Sequence, residues 1–293
     1  MSARVAVLTA SGGIGEEIGG AARAALAAAG LEAAAPLRLA PGAIEIGFSG
    51  PIPGGFTAAD ILPGVPVDVN LVAAKDRRKL LLIADMDSTM IGVECIDELA
   101  DFAGVKPMVS EITERAMRGE LDFEAALRAR VALLRGLPES VLQDCYDSRV
   151  KLNPGARVLV RTMAAGGAGT ALISGGFTFF TERVAAAAGF ARNQANTLLA
   201  EDGVLTGEVG EPILGRAAKH AALLALTADF GAERAIAVGD GANDLDMVVA
   251  AGIGVAYHAK PALAEAASAR IDHSDLTALL ALQGIPDHEW VRD

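Results

Sequence analysis

The sequence predicts an α/β fold: a doubly wound parallel sheet that carries an inserted helical cap and follows a small N-terminal α+β domain. Three observations predict it. From residue 156 onward short apolar runs alternate with helix-patterned segments, as in parallel strands joined by crossover helices. A stretch of helical spacing over about 94–150 precedes that alternation and separates it from an earlier apolar run at 80–84. The first 75 residues read differently, as strand, helix and strands around a loop rich in proline and glycine. A length of 293 residues suits about two domains, and the expected boundaries are 1–75 and 76–293.

In order, strands are expected at 5–8, 44–48 and 67–72, with a small-residue helix at 16–29 and a loop at 49–66. The charged run 75–79 (KDRRK) reads as a solvated joint. The run LLLIA at 80–84 is apolar throughout, which suits a strand buried on both faces. Gly104, Pro107, Gly119 and the Gly136-Leu137-Pro138 turn divide the cap into several helices. Helices then follow at 157–165, 179–188, 217–230, 244–251 and 261–267, and strands at 170–173, 235–238 and 253–256. A hairpin turns at Glu201-Asp202-Gly203.

The formal net charge is −12, which disfavours a nucleic-acid partner, since phosphate backbones call for surplus Lys and Arg. No run approaches the roughly 18 apolar residues that cross a membrane, and the apolar run near the N-terminus is too short for a signal segment. Two cysteines, Cys95 and Cys145, build no disulfide framework or zinc site. A reducing, cytoplasmic setting is therefore expected, with Cys95 buried. His220 and His258 stand beside no nucleophile elbow and read as packing or surface residues. The segment TASGGIG at 9–15 satisfies no dinucleotide fingerprint, which argues against an oxidoreductase.

Four constellations carry chemistry. Asp85-Met86-Asp87-Ser88-Thr89 ends the buried strand, so its carboxylates emerge where open α/β sheets bind ligands. Two anions so close call for a shared proton or a hard cation such as Mg²⁺. Gly239-Asp240-Gly241-Ala242-Asn243-Asp244 ends a second apolar strand in the same manner. Ser174-Gly175-Gly176 follows a third, where a hydroxyl and backbone N–H groups suit phosphoryl oxygens. Lys219, near the start of a helix, can neutralise a phosphoryl group and an attacking carboxylate.

These elements, in this order, resemble the haloacid dehalogenase-like phosphotransferase superfamily over about residues 80–285. Glu94 and the cap segment Ala116–Val131 are similar to those of the phosphoserine phosphatase family within it. The resemblance implies a Mg²⁺-dependent phosphoric monoester hydrolase acting on O-phospho-L-serine, in the last step of serine biosynthesis. It implies Asp85 as nucleophile, Asp87 as acid and base, and Mg²⁺ held by Asp85, Asp240 and the backbone oxygen or carboxylate of Asp87. Ser174, Gly175 and Lys219 would bind the phosphoryl group. Asp244 would support the metal, and Asn243 would orient the substrate or Lys219. Glu94 would pair with the substrate ammonium and Arg130 with its carboxylate, while Phe123 walls the pocket or belongs to the core. For residues 1–75 two readings stay open, an ACT-like module that binds an amino acid and a support for a homodimer. The rival activity is a phosphatase for another small phosphate, which would leave Glu94 without a partner.

Overall fold

The computed structural model describes residues 4–117 and 120–292. The break expected at Gly119 lies outside them. The N-terminal layer is an antiparallel sheet of β1 (Arg4–Thr9), β2 (Glu32–Ala33), β3 (Leu37–Ala40), β4 (Ala43–Ser49) and β5 (Asp68–Ala73), with helix α1 (Glu16–Ala28) against it. β1 lies between β4 and β5, and its alternation sorts it by face. Ala6 and Leu8 pack with Ala22 and Leu26 of α1, while Val5 and Val7 join the main core. The two short strands β2 and β3 were not expected.

After β6 (Leu81–Ala84) the chain runs through four cap helices: α2 (Cys95–Phe102), α3 (Lys106–Met117), α4 (Phe123–Ala132) and α5 (Ser140–Arg149). The cap's stem is stitched shut by an Ile91–Leu152 bridge and by Asn153, whose Nδ2 donates to Thr89 O at 2.8 Å. There follow α6 (Ala156–Ala165), β7 (Gly169–Phe177), α7 (Thr178–Ala188), β8 (Arg192–Asn196) and the hairpin β9 (Leu198–Glu201) and β10 (Val204–Val209). Then come α8 (Arg216–Leu226), β11 (Ala235–Gly239), α9 (Leu245–Ala250), β12 (Ile253–Tyr257), α10 (Pro261–Ala266), β13 (Ala269–Ile271) and α11 (Ala278–Leu282).

Six strands form the second sheet in the order β13-β12-β11-β6-β7-β8, every pair parallel. Alternate residues of the central strands serve opposite cores. Leu82, Ala84, Ile236 and Val238 face one, and Leu81, Ile83, Ala235 and Ala237 face the other. That is the two-sided burial an unbroken apolar run requires. β6, the first strand of this sheet in the chain, lies between β7 and β11. Connections therefore leave it in both directions, creating a crevice at its carboxyl end.

Four expectations need correction. Ser174-Gly175-Gly176 does not follow the third strand but continues it, through an irregular register between Ile173 and Phe177. The helix expected at 217–230 ends at Leu226, where the Thr227 hydroxyl donates to Leu223 O at 2.8 Å. The one expected at 244–251 begins with a 3₁₀ turn at Ala242–Asp244. The joint 75–79 is not wholly solvated either. Arg77 is mostly buried, donates to Leu282 O and Ala281 O at 3.0 Å each and pairs with Glu45 at 2.7 Å. It thereby adds a side-chain donor to the last carbonyls of α11, Ala281 O already accepting from Gly284 N at 2.9 Å.

The N-terminal layer is fastened to the edge of the parallel sheet. Asn70 Nδ2 donates to Arg270 O at 2.9 Å, and Asn70 Oδ1 accepts from Arg270 N at 2.8 Å, so one side chain replaces a missing strand partner. Asp68 accepts from Asp272 N, His273 N and Ser274 Oγ at 2.6–3.1 Å. Among the described residues no helix is long and apolar enough to cross a membrane.

Candidate active site

The carboxyl ends of β6 and β11 bring together residues about 155 positions apart in sequence. Asp85 extends the pairing of β6, its N–H donating to Val238 O at 3.0 Å. Its Oδ1 accepts from Met86 N at 2.8 Å and lies 2.6 Å from Lys219 Nζ. Lys219 comes from α8, fully buried, and its ammonium also reaches Asp244 Oδ1 at 2.7 Å. The other oxygen of Asp244 accepts from Asp240 N and Gly241 N at 3.2 Å each. Gly239 is required here, since a Cβ would stand 2.3 Å from the Asp244 carboxylate. Asp240 accepts from Lys260 twice, at its backbone oxygen from Lys260 N at 2.8 Å and at Oδ2 from Nζ at 3.0 Å.

Around this cluster lies a cavity of ≈ 90 Å³, lined among others by Asp85, Asp87, Glu94, Phe123, Arg130, Ser174, Gly175, Asp240, Asn243 and Lys260. Eleven of the residues singled out from sequence thus meet here or directly behind, with Lys219 and Asp244 forming the floor. The cap supplies three of them. Asp122 caps α4 by accepting from Ala125 N at 2.7 Å, and Phe123 and Arg130 lie about two turns apart, on one face of α4. The Phe123 ring is held between two backbones, because a Cβ on Gly175 or Gly215 would stand 3.1 Å from it. Glu94 precedes α2, and its Oε1 accepts from Ser88 Oγ at 2.6 Å. No described residue pairs with the Arg130 guanidinium in an ion pair, although Glu94, Asp87 and Asp97 contribute field around it.

The electrostatics follow from burial. Asp85 is held well above the usual carboxylate range by desolvation and then by Asp244, against the pull of Lys219. Desolvation and then Glu94 push Asp87 up to about 7. Asp240 is raised by burial, with Lys260 opposing. For Lys219, burial opposes the charge, but Asp85 and Asp244 outweigh it and hold the ammonium protonated. Were all ionised, five carboxylates (Asp85, Asp87, Glu94, Asp240 and Asp244) would face three cations (Lys219, Arg130 and Lys260) with an excess of two negative charges. In addition, Asp87 Oδ1 is buried without a hydrogen-bond partner. One hard divalent cation cancels such an excess, and carboxylate oxygens are its natural ligands. Oxygens of Asp85, Asp240 and Asp244 lie within 4.8 Å of one another.

The haloacid dehalogenase-like hydrolase family matches residues 82–248. The chain belongs to that family. This hydrolase is 44% identical over 230 residues to the phosphoserine phosphatase of Polaromonas sp. (strain JS666), an alignment covering 76% of this chain and 98% of that relative. Its fold is similar to a probable phosphoserine phosphatase from Vibrio cholerae in unliganded form. There the TM-score is 0.80 at 33% identity, covering 97% of this chain and 87% of the other. It is also similar to a substrate-bound phosphoserine phosphatase complex, with TM-score 0.64 and 37% identity over 69% of this chain and 97% of the other.

Three residues of the hydrolase's site escaped the sequence reading. Lys260 stands just past β12, and a lysine at the carboxyl end of a parallel strand was the available signal. Ser88 lies inside the Asp85–Thr89 motif, in the left-handed region at φ 54°. Asn196, buried at the end of β8, donates to Gly175 O at 2.8 Å and Leu214 O at 3.2 Å and accepts from Leu214 N at 2.6 Å. It ties the Gly175 strand to the segment entering α8. Nothing in the polar run 192–196 distinguished it from a loop.

Proposed function

We propose that this enzyme hydrolyses O-phospho-L-serine to L-serine and phosphate, with Mg²⁺ as its metal. One observation carries the reading: Glu94 and Arg130, an anion and a cation from the cap, share a cavity with the Asp85–Lys219–Asp244 cluster of the core. A phosphorylated amino acid presents an ammonium, a carboxylate and a phosphoryl group, and each finds its complement here. The relatives named above are phosphoserine phosphatases, which supports the same substrate class.

Asp85 and Asp240 would each hold the metal through a carboxylate oxygen. Asp87 would contribute its backbone oxygen, because its side chain is reserved for proton transfer. Bound there, Mg²⁺ supplies positive charge that offsets the charge on the phosphoryl oxygens. Lys219 and Met86 N–H occupy Asp85 Oδ1, so Oδ2 is the attacking atom. It forms a bond to phosphorus as the P–O bond to serine breaks, giving an aspartyl-phosphate. Asp87, protonated up to about pH 7, gives its proton to the departing serine oxygen. It then takes one from the water that attacks phosphorus, and the Asp85–phosphorus bond breaks. Ser174 Oγ–H, Gly175 N–H and the Lys219 ammonium stabilise the equatorial oxygens. Glu94 receives the substrate ammonium and Arg130 its carboxylate as a bidentate fork. Phe123 closes one wall and Asn243 orients the phosphoryl group.

The test is phosphate release from O-phospho-L-serine and from phosphoglycolate, with Mg²⁺ and with EDTA. We expect turnover of phosphoserine that EDTA abolishes, and little turnover of phosphoglycolate, which lacks the ammonium. Equal turnover of the two would remove the assignment of Glu94 and with it the substrate.

A further inference from the structure

The two carboxylates that face the proposed cation are pinned alike. Asp85 Oδ1 is held by the Lys219 ammonium and by Met86 N–H, and Asp240 Oδ2 is held by the Lys260 ammonium. Asp244, the third member of the cluster, has both oxygens engaged by Lys219 and by backbone N–H groups. Asp240 is therefore left with one oxygen, Oδ1, to give to the cation.

Lys260 is built for that grip. Its side chain is 53% exposed, where a lysine ordinarily keeps its rotamer freedom. Pro261 opens α10, and a following proline drives the preceding residue into extended backbone. Lys260 accordingly sits at φ −63°, ψ 152°, and its N–H meets Asp240 O at 2.8 Å. Anchored at the backbone, the side chain returns its ammonium to the same residue's carboxylate.

The chemistry of hard cations gives this a consequence. Mg²⁺ demands near-octahedral geometry with one oxygen per ligand, whereas Ca²⁺ accepts six to eight oxygens and readily takes a carboxylate through both. We propose that Lys260 is a positioning residue that sets metal selectivity: by occupying one oxygen of Asp240 it restricts that ligand to single-oxygen binding, favouring Mg²⁺ over Ca²⁺. This rests on the reading of the site as a divalent-cation site.

The test is direct binding of Mg²⁺ and of Ca²⁺ by isothermal titration calorimetry, without substrate, to the full-length chain and to Lys260→Met and Lys260→Arg. Both ions carry the same charge, so loss of the ammonium through electrostatics alone multiplies both affinities by a similar factor. Freeing the second oxygen instead favours Ca²⁺, and we expect Lys260→Met to raise the Ca²⁺/Mg²⁺ affinity ratio by at least about fivefold. Lys260→Arg, which keeps a cation over Asp240, should return the ratio to within about twofold of the parent. A Lys260→Met ratio equal to the parent's, with both ions bound, overturns the role of Lys260 and leaves the metal site standing. A parent chain that binds neither ion overturns both.

Discussion

Lys219 Nζ lies 2.6 Å from Asp85 Oδ1, and both side chains are almost wholly shielded from water. A buried charge stripped of its partner is costly, typically about 3–5 kcal/mol. Lys219→Met strands Asp85 and Asp244 together, and we expect a loss of that order in urea unfolding along with loss of turnover. Unchanged stability would mean that the two carboxylates are neutral in the folded chain and the ion pair is unimportant.

The opposite substitution separates chemistry from folding. Asp85→Asn removes a carboxyl whose ionisation burial and Asp244 oppose while keeping the shape of the side chain, so the thermal midpoint should hold or rise. Phosphate release should fall by at least about a thousandfold, because an amide is no nucleophile toward phosphorus. Near-normal turnover would exclude Asp85 as the attacking group.

pH acts on the metal-free protein in a direction set by Asp85, Asp87 and Asp240, all raised by burial. The folded chain retains protons that the unfolded chain releases near pH 4. Their stabilising contribution is therefore complete below that pH and is lost as pH rises through about 7, the value for Asp87. Urea midpoints without metal should fall between pH 5 and pH 8, on the order of 2–4 kcal/mol in stability. Added Mg²⁺ should reduce the fall, since it binds the deprotonated carboxylates. A midpoint that climbs over this range would contradict the burial of these groups.

Substrate reading is tested by pairing two esters. Arg130→Ala and Glu94→Gln should each raise KM for O-phospho-L-serine about tenfold or more, the loss expected of a charge-assisted hydrogen bond. KM for p-nitrophenyl phosphate, which has neither ammonium nor carboxylate, should stay within about twofold. Parallel rises for both esters would assign these residues to cap structure alone.

Asn196 offers a test of the scaffold behind the site. Asn196→Leu strands the carbonyl of Gly175 and both backbone groups of Leu214, at a cost of about 2–4 kcal/mol. Phosphoryl binding should weaken with it, read as a higher inhibition constant for inorganic phosphate. A variant with parent-like melting would show that water replaces these bonds.

The central features were legible because each leaves a local trace. β6 and β11 are apolar on both faces and end in aspartates, a pattern that needs no knowledge of their partners. Arg130 and Phe123 share a face because helical periodicity puts them there. What stayed hidden depends on the other end of a long-range contact. β8 and β13 are short edge strands, β8 largely polar, and edges carry no two-sided apolar run. The continuation of β7 through Ser174-Gly175-Gly176 goes against the rarity of glycine in strands. Arg77 and Lys260 look like surface charges until α11 and Asp240 are folded against them.

The grip of Asn70 on Arg270 also protects the molecule from its own kind. A parallel sheet that stops at a bare three-residue strand offers unpaired N–H and C=O groups to any neighbouring chain. With the amide of Asn70 seated there, β13 is no longer a template for stacking copies edge to edge. Shortening the protein to its chemically active portion would therefore bare an edge prone to clumping, even with every residue of the cavity intact.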